Sequence, residues 1–163
     1  MLRAIECQPQ GALHGLIDDE VTLDFDNRHR RRVAMIGRNG LEFLLDLPRA
    51  RRLRQGDILV LEDGRCVRVV AADEPLAQIT TSSALELVRI AWHLGNRHLP
   101  VMLLPDRILI RRDHVIEDMV RLLGASVEPI DGPFDPEDGA YAGASGGHTH
   151  HHHHHHDDDH DHG

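Results

Sequence analysis

The first 75 residues alternate apolar and polar positions as half-buried strands do. Val21, Leu23 and Phe25 alternate with threonine and aspartate, and the same two-residue period returns over 41–47. The turn sequence Glu-Asp-Gly at 62–64 lies between two further apolar runs, which indicates a hairpin. Short strands with regular turns and no helical period predict a small all-β sandwich or barrel in this half of the chain.

From residue 76 the apolar period lengthens, and helices alternate with strands. Leu85, Val88 and Trp92 recur at helical spacing after a capping box at 83–86, and Val115 begins a second apolar stripe with Met119, Leu122 and Leu123. The strand-like segments lie at 76–80, 101–104, 107–110 and 125–130. The order strand, helix, strand, strand, helix, strand predicts a ferredoxin-like domain over 76–143, and an α+β chain overall.

The last part of the chain, 144–163, is predicted to be a disordered tail that binds metal. Its final sixteen positions contain only histidine, aspartate, threonine and glycine, which cannot form a packed core. Neutral imidazole is a ligand for nickel, zinc and copper. The seven consecutive histidines at 150–156 also resemble an affinity tag, but the preceding His-Thr and the aspartate-rich residues that follow favour a natural segment. The predicted tail ligands are His148, His150, His151, His152, His153, His154, His155, His156, His160 and His162.

Charge and composition exclude several classes of protein. The net charge of −9 belongs to the end of the chain, because eight acids and no arginine or lysine follow residue 130. A nearly neutral body with few aromatic residues argues against nucleic-acid binding. The apolar runs are too short to span a membrane, and two cysteines are too few for a disulfide scaffold. No established catalytic motif is present. We therefore expect a cytoplasmic protein that is not an enzyme.

Five histidines lie outside the tail, and two of them are candidate ligands at a helix end. His93 falls on the last predicted turn of the first helix and His98 just past its Gly-Asn stop. A twofold dimer would double the number of such ligands near its axis. His114 starts the second helix, where its spacing favours a solvated residue. His14 and His29 are interpreted as surface residues.

Six sequence elements occur in an order that is typical of one known family. They are Leu-Pro-Arg at 47–49, Gly-Asp-Ile-Leu at 56–59, His-Leu-Gly-Asn-Arg-His at 93–98, Arg-Asp-His-Val-Ile-Glu-Asp-Met at 112–119, Phe-Asp-Pro-Glu-Asp-Gly-Ala-Tyr at 134–141, and the terminal histidine tract. In these elements the chain resembles the UreE family of urease accessory proteins, which are nickel metallochaperones. The resemblance spans nearly the whole chain.

The resemblance implies a site and a set of partners. The central metal ligand of the family falls on His98, and an auxiliary ligand falls on His114. Arg112 replaces a second histidine that some members carry two residues before His114. His93, Asn96 and Arg97 are implied as supporting residues beside the metal. The implied cargo is Ni(II), with Zn(II) or Cu(II) as competitors. The implied partners are a second copy of the chain, the urease accessory GTPase and the urease apoprotein, with residues 1–75 binding protein.

Two other functions stay open from the sequence. A histidine-rich buffer or storage protein for nickel or zinc would share the tail but need no transfer partner. A metal-dependent hydrolase would combine His93, His98 and His114 with Asp113 or Glu117, and it would need three ligands converging in one subunit. A buffer differs from a chaperone because no partner protein takes its metal. A hydrolase differs from a chaperone because it needs a preformed cluster of metal ligands in one subunit.

Overall fold

The computed structural model describes residues 1–12 and 16–139, which form two sheets. The N-terminal sheet has six strands in the order β2-β6-β5-β1-β4-β3, with β1 parallel to β4 and β2 parallel to β6. A short 3-10 helix, Asp26–Arg28, joins β2 to β3. The strands are β1 Leu2–Gln8, β2 Asp19–Leu23, β3 His29–Ile36, β4 Glu42–Arg52, β5 Ile58–Leu61 and β6 Cys66–Ala71.

The second sheet is antiparallel and carries two helices, which confirms the α+β class. Its order, β10-β7-β9-β8, is the fourth, first, third and second strand of this unit, as in ferredoxin-like folds. Neither helix is long and apolar enough to cross a membrane. The elements are β7 Asp73–Thr80, α1 Ala84–Asn96, β8 Met102–Leu103, β9 Ile108–Arg111, α2 His114–Leu122 and β10 Ser126–Pro133.

Both predicted helices exist, but the apolar stripes that predicted them face solvent. On α1, Leu85, Val88 and Trp92 are 60%, 64% and 64% exposed, whereas Ile90 and Leu94 are buried in the core. The apolar stripe of α1 therefore does not mark the side of the helix that faces the core. The same holds for most of the stripe of α2. Of that stripe only Met119 packs against the core; the exposed members are Val115, Leu122 and Leu123.

A buried carboxylate holds the two ends of the N-terminal sheet together. Asp19 in the edge strand β2 is only 2% exposed, and it accepts hydrogen bonds from the backbone N–H groups of Glu20, Asn39 and Leu41 at 2.7, 2.9 and 3.1 Å. A Cβ on Gly37, just after the other edge strand β3, would lie 2.2 Å from this carboxylate. The sheet therefore curls until its edges meet, as a barrel-like unit requires.

Replacing Asp19 by asparagine is expected to lower the free energy of unfolding at neutral pH by about 2–3 kcal/mol, because charged hydrogen bonds to backbone amides are lost. Burial raises the pKa of Asp19, but the amides of Asn39, Glu20 and Leu41 outweigh it and hold that pKa below its usual value. The stabilisation is therefore complete above about pH 4 and is lost as the pH falls through the lowered pKa. Urea unfolding of both proteins between pH 3 and pH 7 measures this; a difference that does not shrink in acid contradicts it.

The two sheets are joined by a third core and by a buried ion pair. Phe25 from the first unit packs on Phe134 with ring centroids 5.3 Å apart, and Leu76 and Leu109 complete this cluster. The segment after β10, residues 134–138, lies across the first unit, and we call it the strap. The strap therefore holds the end of the described chain against the first unit.

Arg28 ties the strap to the N-terminal unit. Its side chain is fully buried, and it donates to the Asp135 carboxylate at 2.8 Å and to the carbonyl of Phe134. Arg54 reaches the same carboxylate at 3.1 Å and Asp138 at 3.0 Å. The two units therefore share an interface in which two arginines clamp one aspartate.

Candidate metal site at the end of helix α1

Helix α1 begins and ends through local hydrogen bonds that the sequence encodes. The Ser83 side chain accepts from the backbone N–H of Glu86 at 3.3 Å, and Ser82 donates to the Glu86 carboxylate at 2.7 Å. At the other end the N–H of His98 bonds to the carbonyl of Gly95 at 3.0 Å. His98 therefore sits directly after the helix, where the chain turns away.

His98 has an unusual backbone conformation. Its φ is +55°, and it has the only positive φ among the described non-glycine residues. The left-handed region disfavours residues with a Cβ and costs about 1–2 kcal/mol. Strained residues of this kind cluster at functional sites because the surrounding structure holds them there. The side chain is exposed, so its imidazole is accessible to a ligand.

A groove of about 1100 Å³ runs between the two units beside His98. The first unit contributes an arginine-rich wall, and the second contributes the end of α1 and the chain that follows it. The lining includes Phe25, His29, Arg49, Ala50, Arg51, Arg52, Arg54, Ala91, Gly95, His98, Leu99, Pro100, Val101, Leu103, Pro136, Glu137, Asp138 and Gly139. Sequence reasoning placed His29 on the surface, where it lies, but missed this groove.

The supporting residues of the predicted site lie around His98 in different ways. His93 is half-buried on the last turn of α1, with its ring edge-on to Trp92 at 5.1 Å between centroids. Arg97 donates to the carbonyl of His93 at 3.4 Å, while Asn96 is exposed at the helix end. These contacts brace the turn that carries His98.

His114 is placed by a different helix. It is the exposed first residue of α2, and the Asp113 carboxylate before it caps the helix by accepting from Val115 and Ile116 at 3.0 and 3.2 Å. Its imidazole is accessible, but within the described residues His114 belongs to no cluster of three potential metal ligands. Across residues 1–12 and 16–139, no group of three or more histidines, cysteines or acids is arranged to hold a metal ion.

The neighbouring position, Arg112, is committed to an ion pair. Its guanidinium donates to the buried Glu117 carboxylate at 2.7 Å, and Arg121 lies 3.4 Å from the same side chain. The hydrogen bond from Arg112 is the main cause that holds the pKa of Glu117 below its usual value, against burial. Glu117 is therefore a structural carboxylate. Its side chain is buried in ion pairs and does not face solvent as a metal ligand or a general base would.

The cysteines do not extend the site. Burial, with the nearby negative charge of Asp57, raises the pKa of the Cys7 thiol to about 12. Burial also raises the pKa of Cys66. Metals bind the thiolate, which these shifts disfavour. The predicted tail ligands and His14 lie outside the described residues, so their roles stay predictions.

Comparison with known proteins identifies the family. The model of the UreE urease accessory protein N-terminal domain matches residues 3–72, and that of the C-terminal domain matches 74–162. A urease accessory protein UreE of Rhodopseudomonas palustris strain BisB18 is 60% identical over 142 residues, covering 87% of this chain and 67% of its own length. That of Beijerinckia indica is 50% identical over 148 residues, covering 91% and 86%. That of Rhodobacter capsulatus is 46% identical over 151 residues, covering 92% and 94%.

The two family models divide the chain at the junction between its two sheets, where β6 ends and β7 begins. The relatives are named as accessory proteins rather than as enzymes. The matches cover nearly the whole chain, from the first strand to the histidine tract. This chain belongs to the UreE family of urease accessory proteins.

Proposed function

We propose that the chain is a nickel metallochaperone that binds Ni(II) and delivers it to apo-urease while the urease metal centre is assembled. The observation that carries this function is the strained, exposed His98 at the end of α1 in a chain that matches the urease accessory family over both domains. A single imidazole without a closed ligand set suits a metal that must leave again. A permanent site would enclose its ion with four ligands.

The site is completed by a second copy of the chain. Leu85, Val88 and Trp92 form an exposed apolar stripe on α1, and the stripe runs toward the helix end that carries His98. A twofold contact along this stripe buries it and brings the two His98 residues toward one axis. The dimer thus supplies two imidazoles where one chain supplies one.

Replacing Val88 by glutamate is expected to convert the dimer to monomers, because a charge buried in an apolar contact is strongly unfavourable. The matched control is Leu122→Glu, since Leu122 is 89% exposed on the other helix, α2. Light scattering coupled to gel filtration gives the mass of each variant. A dimeric V88E variant, or a monomeric L122E variant, contradicts the assignment of the interface.

The tail and His114 capture Ni(II). The tail histidines collect Ni(II), and their affinity falls as the imidazoles protonate at lower pH. His114 is an auxiliary ligand on the body. Zn(II) and Cu(II) compete, because imidazole sites follow the general order of transition-metal affinity and copper binds most tightly. The protein acts in the cytoplasm and catalyses no reaction of its own.

The receiving partners are the urease accessory GTPase and the urease apoprotein. Residues 1–75 form the unit that contacts protein partners, and residues 76–143 hold the metal and the dimer contact. A buffer or storage protein shares the tail but has no such partners. Specific transfer is therefore the property that separates the two functions.

The test is transfer of radioactive nickel to apo-urease in a mixture with the accessory GTPase and a chelator that captures free ions. We expect the nickel-loaded chain to activate urease, and a His98→Ala variant loaded with the same amount to activate it far less. A free histidine-rich peptide at equal nickel load is the control for simple buffering. Equal activation by the peptide and the protein supports the buffer and contradicts the chaperone.

A further inference from the structure

The groove beside His98 is positively charged although the body is not. Its charged lining side chains are four arginines, at positions 49, 51, 52 and 54, and two acids, Glu137 and Asp138. By contrast, residues 1–130 carry 19 acids and 18 arginines. A concave surface lined by one sign of charge focuses the electrostatic field and attracts the opposite sign. The groove is thus suited to an acidic chain segment.

Within the fold, the charge of Arg52 is met differently from the charges of Arg51 and Arg54. Arg54 pairs with Asp135 and Asp138, and Arg51 lies 3.5 Å from Asp57. Arg52 donates to the carbonyl of Phe25 and lies over its ring at 3.9 Å. In the described part of the chain, no carboxylate lies within 4.0 Å of the Arg52 guanidinium. Burial and the charges of Arg28 and Arg54 lower the pKa of Arg52, and the charges of Asp138 and Asp26 oppose that shift.

The described part of the chain ends in the groove itself. The strap is clamped by Arg28 and Arg54, and its last residues through Gly139 line the groove with His98. Beyond Gly139 the sequence contains four aspartates and no arginine or lysine. The first of them, Asp157, follows after about 18 residues, which span at most about 60 Å when extended. Tethering at this point gives the segment a local concentration of the order of millimolar.

We propose that the aspartate-rich end of the chain, Asp157, Asp158, Asp159 and Asp161, docks in this groove against Arg52 and its neighbours. Docking holds the tail histidines beside His98, so that captured nickel is presented to the transferable site of the same chain. The contact is between exposed charges, so it is individually weak and is screened by salt. This role rests on the proposed chaperone function, whereas the docking itself is an electrostatic property of the chain.

The test is paramagnetic broadening of backbone amides in the full-length chain. The ¹⁵N-labelled protein carries His98→Ala, so that Cu(II) added below one equivalent loads the tail and not the body site. We expect loss of amide signal at Ala50 and Leu103 in the groove, and none at Val60 in β5. The signals return at about 0.5 M NaCl, where the Debye length is a few ångströms.

Changing the four aspartates to asparagine, which keeps every tail histidine and leaves the described fold untouched, is expected to restore the groove signals. Arg52→Gln restores them as well, whereas Arg65→Gln on the distant β5–β6 turn does not. Broadening that persists in the asparagine variant, or is absent in the aspartate chain, overturns the proposal. So does broadening of a labelled asparagine variant by an unlabelled aspartate chain, because a second copy then fills the groove.

The result is independent of the nickel-transfer assay. If transfer fails while the salt-sensitive broadening is present, docking stands and the chaperone function falls. If broadening is absent while transfer succeeds, the docking proposal falls and the chaperone function stands. Each outcome therefore assigns the failure to one of the two proposals.

Discussion

Replacing Asp135 by alanine is expected to lower the free energy of unfolding by about 3–5 kcal/mol. Arg28 is fully buried, and this carboxylate is its one ion-pair partner among the described residues. The Nε of Arg28 already has no hydrogen-bond partner. Removing Asp135 leaves a buried charge without compensation, and such a charge is far more costly than a lost surface pair.

The control for this prediction is an ion pair of similar length that is exposed to solvent. Arg65 and Asp63 are 2.8 Å apart, and both side chains are substantially exposed. Asp63→Ala is therefore expected to cost less than about 1 kcal/mol. Urea unfolding of both variants at neutral pH measures the difference. Equal effects of the two substitutions would show that the strap is not held by its buried pair.

Replacing His98 by alanine is expected to weaken nickel binding to the body of the protein by at least about a hundredfold. Even residues that only support a metal ligand cost about 10–100-fold when they are mutated, and His98 is proposed as a direct ligand from both subunits. The measurement is calorimetric titration of a full-length chain whose ten tail histidines are changed to glutamine. The tail then contributes no imidazole, and the remaining binding reports on the body.

His29→Ala in the same background is the matched control. It removes an exposed imidazole that lines the same groove but lies on the N-terminal unit. Binding is expected to stay within about threefold of the parent, because the residue is not a proposed ligand. A strong loss of nickel affinity in the His29 variant, with no loss in the His98 variant, would place the metal site on the N-terminal unit.

The elements of the second unit are predictable because their signals are local. Ser83 lies at a helix start with the residues that a capped helix requires, and it caps α1 as expected; Asp113 caps α2 in a similar way. Which face of each helix packs against the core is not predictable in the same way. A periodic stripe at Leu85, Val88 and Trp92 has the same sequence pattern whether it meets the core or a second copy, and only the packing of Ile90 and Leu94 decides.

The candidate site is also only partly predictable from the sequence. His98 is a candidate ligand from its motif and from its place after a helix stop, but its left-handed conformation is not visible in the sequence. The strap is missed altogether, because Arg28 and Asp135 are 107 residues apart and only the folded chain brings them together. The groove arginines appear in the sequence as an arginine-rich run, and their meaning depends on what the second unit places opposite them.

The central claim, that two copies of His98 form the transferable nickel site, is tested most directly by native mass spectrometry of the full-length chain with its tail histidines changed to glutamine. Mass and bound nickel are then counted in the same particle. We expect one tightly bound ion per dimer, and none on the monomer produced by Val88→Glu. Nickel held equally well by the monomer, or a dimer that binds none, would contradict the shared site.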